Sequence, residues 1–588
     1  MDFELTPTTS AHATALNCTD ARSDPRYSLL LVCSLLIAHA PLAFNNGLYG
    51  DDWLIFKIKP DYQTMISFLL HGAGHPITYL YCALGNLSGN PTAFLNVLAL
   101  AGIAIGALNL RSFLTRLGIL SEFETLITVF LVWSYAGFRD WATKITAPYL
   151  FSFALLCVGL NLFAIVATSP RPRIGLRIAS LAAIFCSFAI NSMIVVFLVG
   201  LLVSFCLLAP AAVDDQPLTS RMARLALRFA DYLALPIVYL VSINHFFPKI
   251  GPYRDYYLIR FPDFGSALSL LQQFLRWSSY EPALDGLHVA VQSNWLIGLS
   301  LLVGLSMVAI PALHGIADVP RDQKKLLDLA WPAVAGAALF ILCALPYISV
   351  GIAPTGHFYE SRHLLLFGLP LGLVVISALR LVQSASNRIA GYLFCLGVLS
   401  INICSLWNSY FFQQARWIRQ SAMIQQLERD YRNPPAAVFN LIDGFLDYPG
   451  HTYYGITEIT GGLHLAWDSR PLFGFTGRNE RATILQEIDA AMQMDGAAFR
   501  NMDLRGPQAT IQVRPQLPVL NNFELSLSYY RCLIHFCDWQ TFADGVASTN
   551  ILVGPIPNLV PIEQKAALEL TGKDRFNRDT TRNVRRNE

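Results

Sequence analysis

Long apolar runs, each second one closed by arginine or lysine, set the limits on what this chain can fold into. A helix that crosses a hydrocarbon core needs about 17–25 mostly apolar residues. Runs at or near that length fall at Tyr27 to Phe44, Thr92 to Leu110, 123 to 138, 147 to 168, 178 to 190, 193 to 210, 232 to 247, 295 to 313, 331 to 349, 364 to 381 and 389 to 410. The basic residues follow alternate runs: Arg111 and Arg116, then Arg171, Arg173 and Arg177, then Arg221, Arg224 and Arg228, then Arg321, Lys324 and Lys325, and finally Arg380 and Arg388. Because cytoplasmic loops carry an excess of arginine and lysine, the pattern predicts eleven spans with the N-terminus inside and the C-terminus outside. Tyr62 to His71 and Pro76 to Leu87 are short and are expected to lie in or near the outer interface. Counting Pro76 to Leu87 as a span would invert every later loop and spoil the arginine pattern.

Composition supports this reading, since 54% of the 588 residues are hydrophobic and only 14% charged, too little polar surface for an ordinary soluble enzyme. A net charge of +2 argues against a nucleic-acid partner. Residues 1–26 are polar and no small-residue cleavage site follows the first run, so 1–26 is expected as a cytoplasmic segment and the first helix as a retained one. Residues 27–410 then form an all-α polytopic membrane domain whose outer loop 45–91 carries an acidic pair. Residues 411–572 change to mixed polar and apolar and are predicted to be a small extracytoplasmic α+β domain. Within it Ala422 to Arg432 and Ala482 to Met494 read as helices, and Ala436 to Ile442, Ala509 to Val513, Glu524 to Tyr530 and Ile551 to Val553 as extended. Residues 573–588 are charged and poor in apolar residues, as a disordered tail would be. A Cys532–Cys537 disulfide suits an oxidising compartment, but a separation of five residues allows it only across a turn.

The best candidate for chemistry is Asn45-Asn46-Gly47-Leu48-Tyr49-Gly50-Asp51-Asp52-Trp53. Two carboxylates where a membrane helix surfaces are costly to desolvate unless they meet a polar cavity, a ligand or a cation; the plainer reading is a cap on the helix that follows. On the same expected face lie Arg139 and Lys144, the 248 to 293 loop with its aromatic stretch Tyr253 to Phe264, and Tyr359-Glu360-Ser361-Arg362-His363. Arg139 and Lys144 could equally be interface anchors with Trp141, Arg362 could pair with Glu360, and His71 and His75 could only shape a turn. Zinc-type spacing and a glycine-rich phosphate loop are both missing.

With Asp51-Asp52-Trp53 in the first outer loop, interfacial helices behind it and an outer domain after the last span, the layout resembles the GT-C superfamily of integral-membrane glycosyltransferases. The oligosaccharyltransferase signature Trp-Trp-Asp-Tyr-Gly is missing, and Trp467-Asp468-Ser469 is no substitute, which argues against transfer to asparagine in a sequon. The resemblance implies a sugar donor on a polyprenyl phosphate and an envelope glycan, glycolipid or protein hydroxyl as acceptor; the positive-inside loops and the outer soluble domain make a bacterial inner membrane the expected location. The resemblance makes Asp51 or Asp52 the general base, with one pKa raised by the other's charge unless a cation intervenes. Arg139, Lys144, Tyr359, Glu360, Arg362 and His363 become the candidates for binding substrate and its departing phosphate. A single displacement would invert the anomeric centre; the need for a divalent cation, Mg or Mn, is left open. Competing readings are a glycolipid transporter or flippase, an envelope assembly protein and an O-antigen polymerase.

Overall fold

The computed structural model describes residues 24–58, 76–169, 171, 173–190, 193–208, 218–248, 259–260, 262–313, 326–356, 358–448, 452, 454–467, 472–476, 506–518, 521–535, 537–554 and 556. The expected helices Tyr62 to His71 and Ala482 to Met494, the residues His71 and His75, most of the Tyr253 to Phe264 stretch and the 573–588 tail lie outside those residues. The described chain forms two compact units, one of residues 24–47 and 76–413, the other of 48–58 and 414–556. The acidic pair therefore belongs with the C-terminal residues and not with the helices that flank it in sequence.

In the first unit run α1 (Pro25–Ala38), a single turn Ala40–Ala43, α2 (Pro76–Leu87), α3 (Pro91–Leu117), α4 (Glu122–Trp133), α5 (Ala147–Thr168), α6 (Ile174–Ile190), α7 (Ile194–Leu208), α8 (Leu218–Arg228) and α9 (Ala230–Phe246). They continue with α10 (Phe264–Leu275), α11 (Glu281–Gln292), α12 (Asn294–Leu313), α13 (Leu326–Ser349), α14 (Gly368–Ala385) and α15 (Arg388–Asp430). Among the described residues six helices are long and apolar enough to cross a membrane, or seven if the bent pair α8–α9 counts as one span. Shorter apolar helices lie at Pro25–Ala38, Ile174–Ile190 and Ile194–Cys206. The 248 to 293 stretch, expected as a long loop, instead carries α10 and α11 joined by the π-helical turn Arg276–Tyr280. Asp263 starts α10 by accepting the Ser266 amide at 3.0 Å, a side-chain cap for one of the unpaired amides of a helix start.

Polar contacts mark the two ends of this bundle. At one, Arg111 of α3 pairs with Glu122 at 2.5 Å and donates to Ser28 at 2.5 Å. There too Arg380 of α14 holds Glu124 of α4 through two bonds of 2.5 and 2.7 Å. At the other end Asn96 of α3 donates to the Asn45 carbonyl at 2.7 Å, and Tyr135 donates to the Ser278 carbonyl at 2.6 Å. Residue 45 and parts of the 134–146, 248 to 293 and 351–363 stretches, which were expected to share one face, meet here with Asn96 of α3.

The second unit takes the last residues of α15 from Gln414 onward and adds α16 (Ile456–Ala466), α17 (Asn522–Ile534) and α18 (Trp539–Val546). Its sheet has strands β1 (Val438–Asp443), β2 (Phe473–Thr476), β3 (Gln508–Pro515) and β4 (Ala547–Val553) in the order β2-β1-β3-β4. Strand β1 is parallel to both neighbours and buried at all but Ile442, as a central strand covered on both faces must be. β3 and β4 are antiparallel. Two expectations are corrected. The span 389 to 410 and the helix Ala422 to Arg432 are one continuous helix, because nothing between them breaks it. Glu524 to Tyr530 is helical: Asn521 accepts the Glu524 amide at 2.8 Å, and Leu525, Tyr529 and Cys532 bury one face at helical spacing. The Cys532–Cys537 disulfide is formed, across a turn in which the Cys537 amide donates to the Cys532 carbonyl at 3.0 Å.

Candidate functional site

The acidic pair sits on a turn built by its own backbone. Gly50 takes a left-handed conformation with φ of 52°, which favours glycine. The Asp52 amide donates to the Tyr49 carbonyl at 3.0 Å, and the Asp52 carboxylate accepts the Tyr49 amide at 3.1 Å. That carboxylate therefore reaches back to close the turn, where capping the following helix was the plainer expectation. Asp52 is fully buried, whereas Asp51 is half-buried and contributes its backbone carbonyl to the Ile55 amide at 3.3 Å. Two adjacent carboxylates thus have unlike surroundings.

Helix α16 grips this turn from within the same unit. Glu458, 3% exposed, accepts the Gly50 amide at 3.1 Å, the Gly455 amide at 2.7 Å and the Arg416 guanidinium at 2.5 Å. At the other end of the same residue, Thr457 donates to the Gly50 carbonyl at 3.4 Å. Arg416 lies 5.1 Å from the Tyr454 ring centre and donates to Thr452 at 3.1 Å, and Gln420 donates to the Glu458 carbonyl at 3.0 Å. Burial pushes the Tyr454 phenol far above its ordinary pKa, so it stays a donor, to the Arg416 carbonyl at 3.3 Å. Trp53 is fully buried with its ring 5.9 Å from that of Trp417. It lies flat against Gly461, where an added Cβ would stand 2.7 Å from Trp53 Cε3; only glycine lets indole and helix approach so closely.

Sequence reasoning missed Arg416, Glu458 and Gly461. Their signals were faint: an arginine in the polar continuation of the last apolar helix, and Thr457-Glu458 just after Gly455 among β-branched residues.

The cationic candidates belong to the first unit. Arg139 pairs with Asp285, its amide donates to Ser361 Oγ at 3.0 Å, and its carbonyl accepts from Gln413 at 3.2 Å. The Ser361 contact brings the 134–146 loop to the 3-10 helix Phe358–Phe367, which carries Arg362 and His363. Lys144 is 2% exposed and donates to Asn96 Oδ1 at 2.5 Å and the Ala142 carbonyl at 2.8 Å. Its neighbour Asp140 is also buried and accepts from Thr143 at 3.2 Å. An anion bound here would add to these partners and would not meet bare charge. Arg362 and His363 are buried, with the His363 ring 4.7 Å from that of Tyr347. Tyr359 and Glu360 share that 3-10 helix, but their side chains lie outside the described residues. Among the described residues no group of three or more His, Cys, Asp or Glu is placed to hold a metal ion.

Compared with known proteins, the chain matches no family model, no curated protein and no solved structure.

Proposed function

We propose that this chain is an integral-membrane glycosyltransferase that moves a sugar from a polyprenyl-phosphate donor to a hydroxyl of an envelope glycan, glycolipid or protein. The reading rests on one observation above others: an acidic turn gripped by the buried Arg416–Glu458 ion pair, in which Asp52 is buried and Asp51 half-buried. Asp51 is then the general base and Asp52 its anchor. The Asp51 carboxylate takes the proton of the acceptor hydroxyl as that oxygen forms its bond to the anomeric carbon. The bond from that carbon to the phosphate oxygen breaks, and polyprenyl phosphate leaves with the electron pair. One displacement inverts the centre and leaves no covalent enzyme intermediate.

Arg139, Lys144 and Arg362, with His363 as a hydrogen-bonding partner, stay the candidates for stabilising a departing phosphate. The six long helices, α9 of the bent pair and the shorter α1, α4, α6 and α7 make eleven spans in this reading. The N-terminus is then cytoplasmic and the C-terminal unit lies outside a bacterial inner membrane. The pairs Arg111–Glu122 and Arg380–Glu124 join helix ends, whereas a transporter would favour ionisable groups at mid-span.

The test is a panel of polyprenyl-phosphate sugars given to the purified protein in lipid with a mixture of envelope hydroxyl acceptors. Release of polyprenyl phosphate from one donor, with a product of inverted anomeric configuration, is the expected result. A retained configuration would rule out the single displacement.

A further inference from the structure

The helices α6, α8 and α9 carry a charged feature that the reaction does not use. Residues 171–231 contain six arginines, three aspartates and no lysine or glutamate. Arg224 and Arg228 recur at i and i+4 along α8, which places them on one face of that helix. The helix Met222–Arg228 is bent by 59° from Ala230–Phe246, so the basic segment turns away from the apolar helix that follows it.

The bend is fixed by packing. Phe229, fully buried, sits at the pivot with ring centres of Phe163, Phe205 and Tyr232 at 5.1, 6.0 and 6.0 Å. Arg177 of α6 reaches across it, donating to Asp231 at 2.6 and 2.7 Å and to the Arg228 carbonyl at 2.7 Å. The Arg177 guanidinium carbon lies 5.5 Å from the Phe229 ring centre and that of Arg228 lies 5.1 Å from it. This knot ties the start of α6 to the end of α8. It brings Arg171 and Arg173, which lead into α6, to the same end of the bundle as Arg224 and Arg228, and all four are exposed. Ile174 and Leu227 beside them are 68% and 78% exposed. Exposed arginines interleaved with exposed aliphatic side chains, on a short helix turned off a span axis, match a bilayer surface with phosphate above and acyl chain below.

We infer that α8 and the arginines leading into α6 form a binding site for anionic phospholipid, in which Arg171, Arg173, Arg224 and Arg228 hold headgroup phosphates and Ile174 and Leu227 enter the acyl boundary. The site depends on the helices crossing a membrane but not on the glycosyl-transfer reading. Polybasic segments at anionic membranes gain about 1 kcal/mol per arginine or lysine, and one such contact corresponds to roughly fivefold in binding.

The experiment uses the full chain in nanodiscs of phosphatidylcholine with or without phosphatidylglycerol, and counts lipids that survive delipidation by native mass spectrometry. The comparison is with Arg171→Gln/Arg173→Gln/Arg224→Gln/Arg228→Gln, and Arg177 and Asp231 are kept because they hold the bend. The parent is expected to retain phosphatidylglycerol at least about tenfold over phosphatidylcholine, with most of that preference lost in the glutamine variant. The matching lysine variant, which keeps the charges, is expected to hold it. Equal retention of both lipids by the parent, or an undiminished preference in a glutamine variant whose thermal unfolding in phosphatidylcholine matches the parent, would overturn the site. If the fourfold variant fails to fold, Arg171→Gln/Arg173→Gln alone must still reduce the preference.

Discussion

At the scale of single residues, Glu458 decides whether the acidic turn has a fixed shape. It accepts from the Gly50 amide and the Arg416 guanidinium at once, and both Arg416 and Glu458 are buried. Removing one partner of a buried pair costs about 3–5 kcal/mol, because the other charge stays behind. Glu458→Ala is therefore expected to lower the unfolding temperature strongly and to speed hydrogen exchange over residues 48–56. Glu458→Gln, which keeps an acceptor for Gly50, is expected to loosen that turn less. Equal protection of 48–56 in all three proteins would show that Glu458 does not hold it. His464 gives a pH signature. Burial lowers its pKa below the ordinary 6.5, so on acidification the unfolded chain takes up the proton first. Its share of stability is full above about pH 6.5 and is lost as pH falls below that value toward the folded pKa. Hydrogen exchange of residues 456–476, corrected for intrinsic rate, is expected to show weaker protection at pH 5 than at pH 7.5, and His464→Asn is expected to flatten the difference.

At the scale of elements, the contact between α16 and Trp53 allows no extra atom at Gly461. Gly461→Ala is expected to cost about 1–3 kcal/mol through overpacking, seen as a lower unfolding temperature and a shifted tryptophan emission. Unchanged values would mean that the indole moves aside freely. The disulfide between α17 and α18 closes a small loop, worth about 2 kcal/mol by loop-closure entropy. Cys532→Ser/Cys537→Ser is expected to raise hydrogen exchange in 522–546 accordingly.

These elements also show where the sequence was readable. Strands β1, β3 and β4 announced themselves as short runs of β-branched and apolar residues bounded by turn formers; the structure lengthens β3 and β4 and starts β1 two residues later and ends it one later than expected. Helix α17 was misread because Leu525-Ser526-Leu527-Ser528 alternates like a half-exposed strand, while the cap at Asn521 and the Leu525, Tyr529, Cys532 spacing favour a helix. Helix α16 escaped notice because Ile456-Thr457-Glu458-Ile459-Thr460-Gly461-Gly462 combines β-branched residues with two glycines, a poor local case for helix. Its reason for being helical is tertiary: it buries Ile459 and Leu463 and presents Gly461 to Trp53. The acidic pair was legible as chemistry, since carboxylates beside an aromatic at the end of an apolar run are unusual. The split between Asp51 and Asp52 was not, because it depends on a backbone turn that reverses Asp52 onto Tyr49.

At the scale of the whole molecule, the apolar runs announce an order of helices, and one end of the bundle brings together Asn45, the 134–146 loop, residues 276–285 and Ser361. In the proposed topology the segment leading into α6, with Arg171 and Arg173, is cytoplasmic and the C-terminal unit is outside. With Cys18, Cys33 and Cys206 replaced by serine, Gln516→Cys is expected to react with an impermeant maleimide on intact cells, and Arg173→Cys only after permeabilisation. The reverse pattern would invert the topology.

The central claim is that Asp51 removes a proton during sugar transfer while Asp52 holds the turn. The most direct measurement compares polyprenyl-phosphate release by the parent, Asp51→Asn and Asp52→Asn in lipid, each with donor binding and unfolding temperature measured alongside. Asp51→Asn is expected to keep donor affinity and stability but lose about 10²–10⁴ in turnover, and Asp52→Asn to lose stability together with activity. Parent-like turnover by a folded Asp51→Asn protein would contradict it.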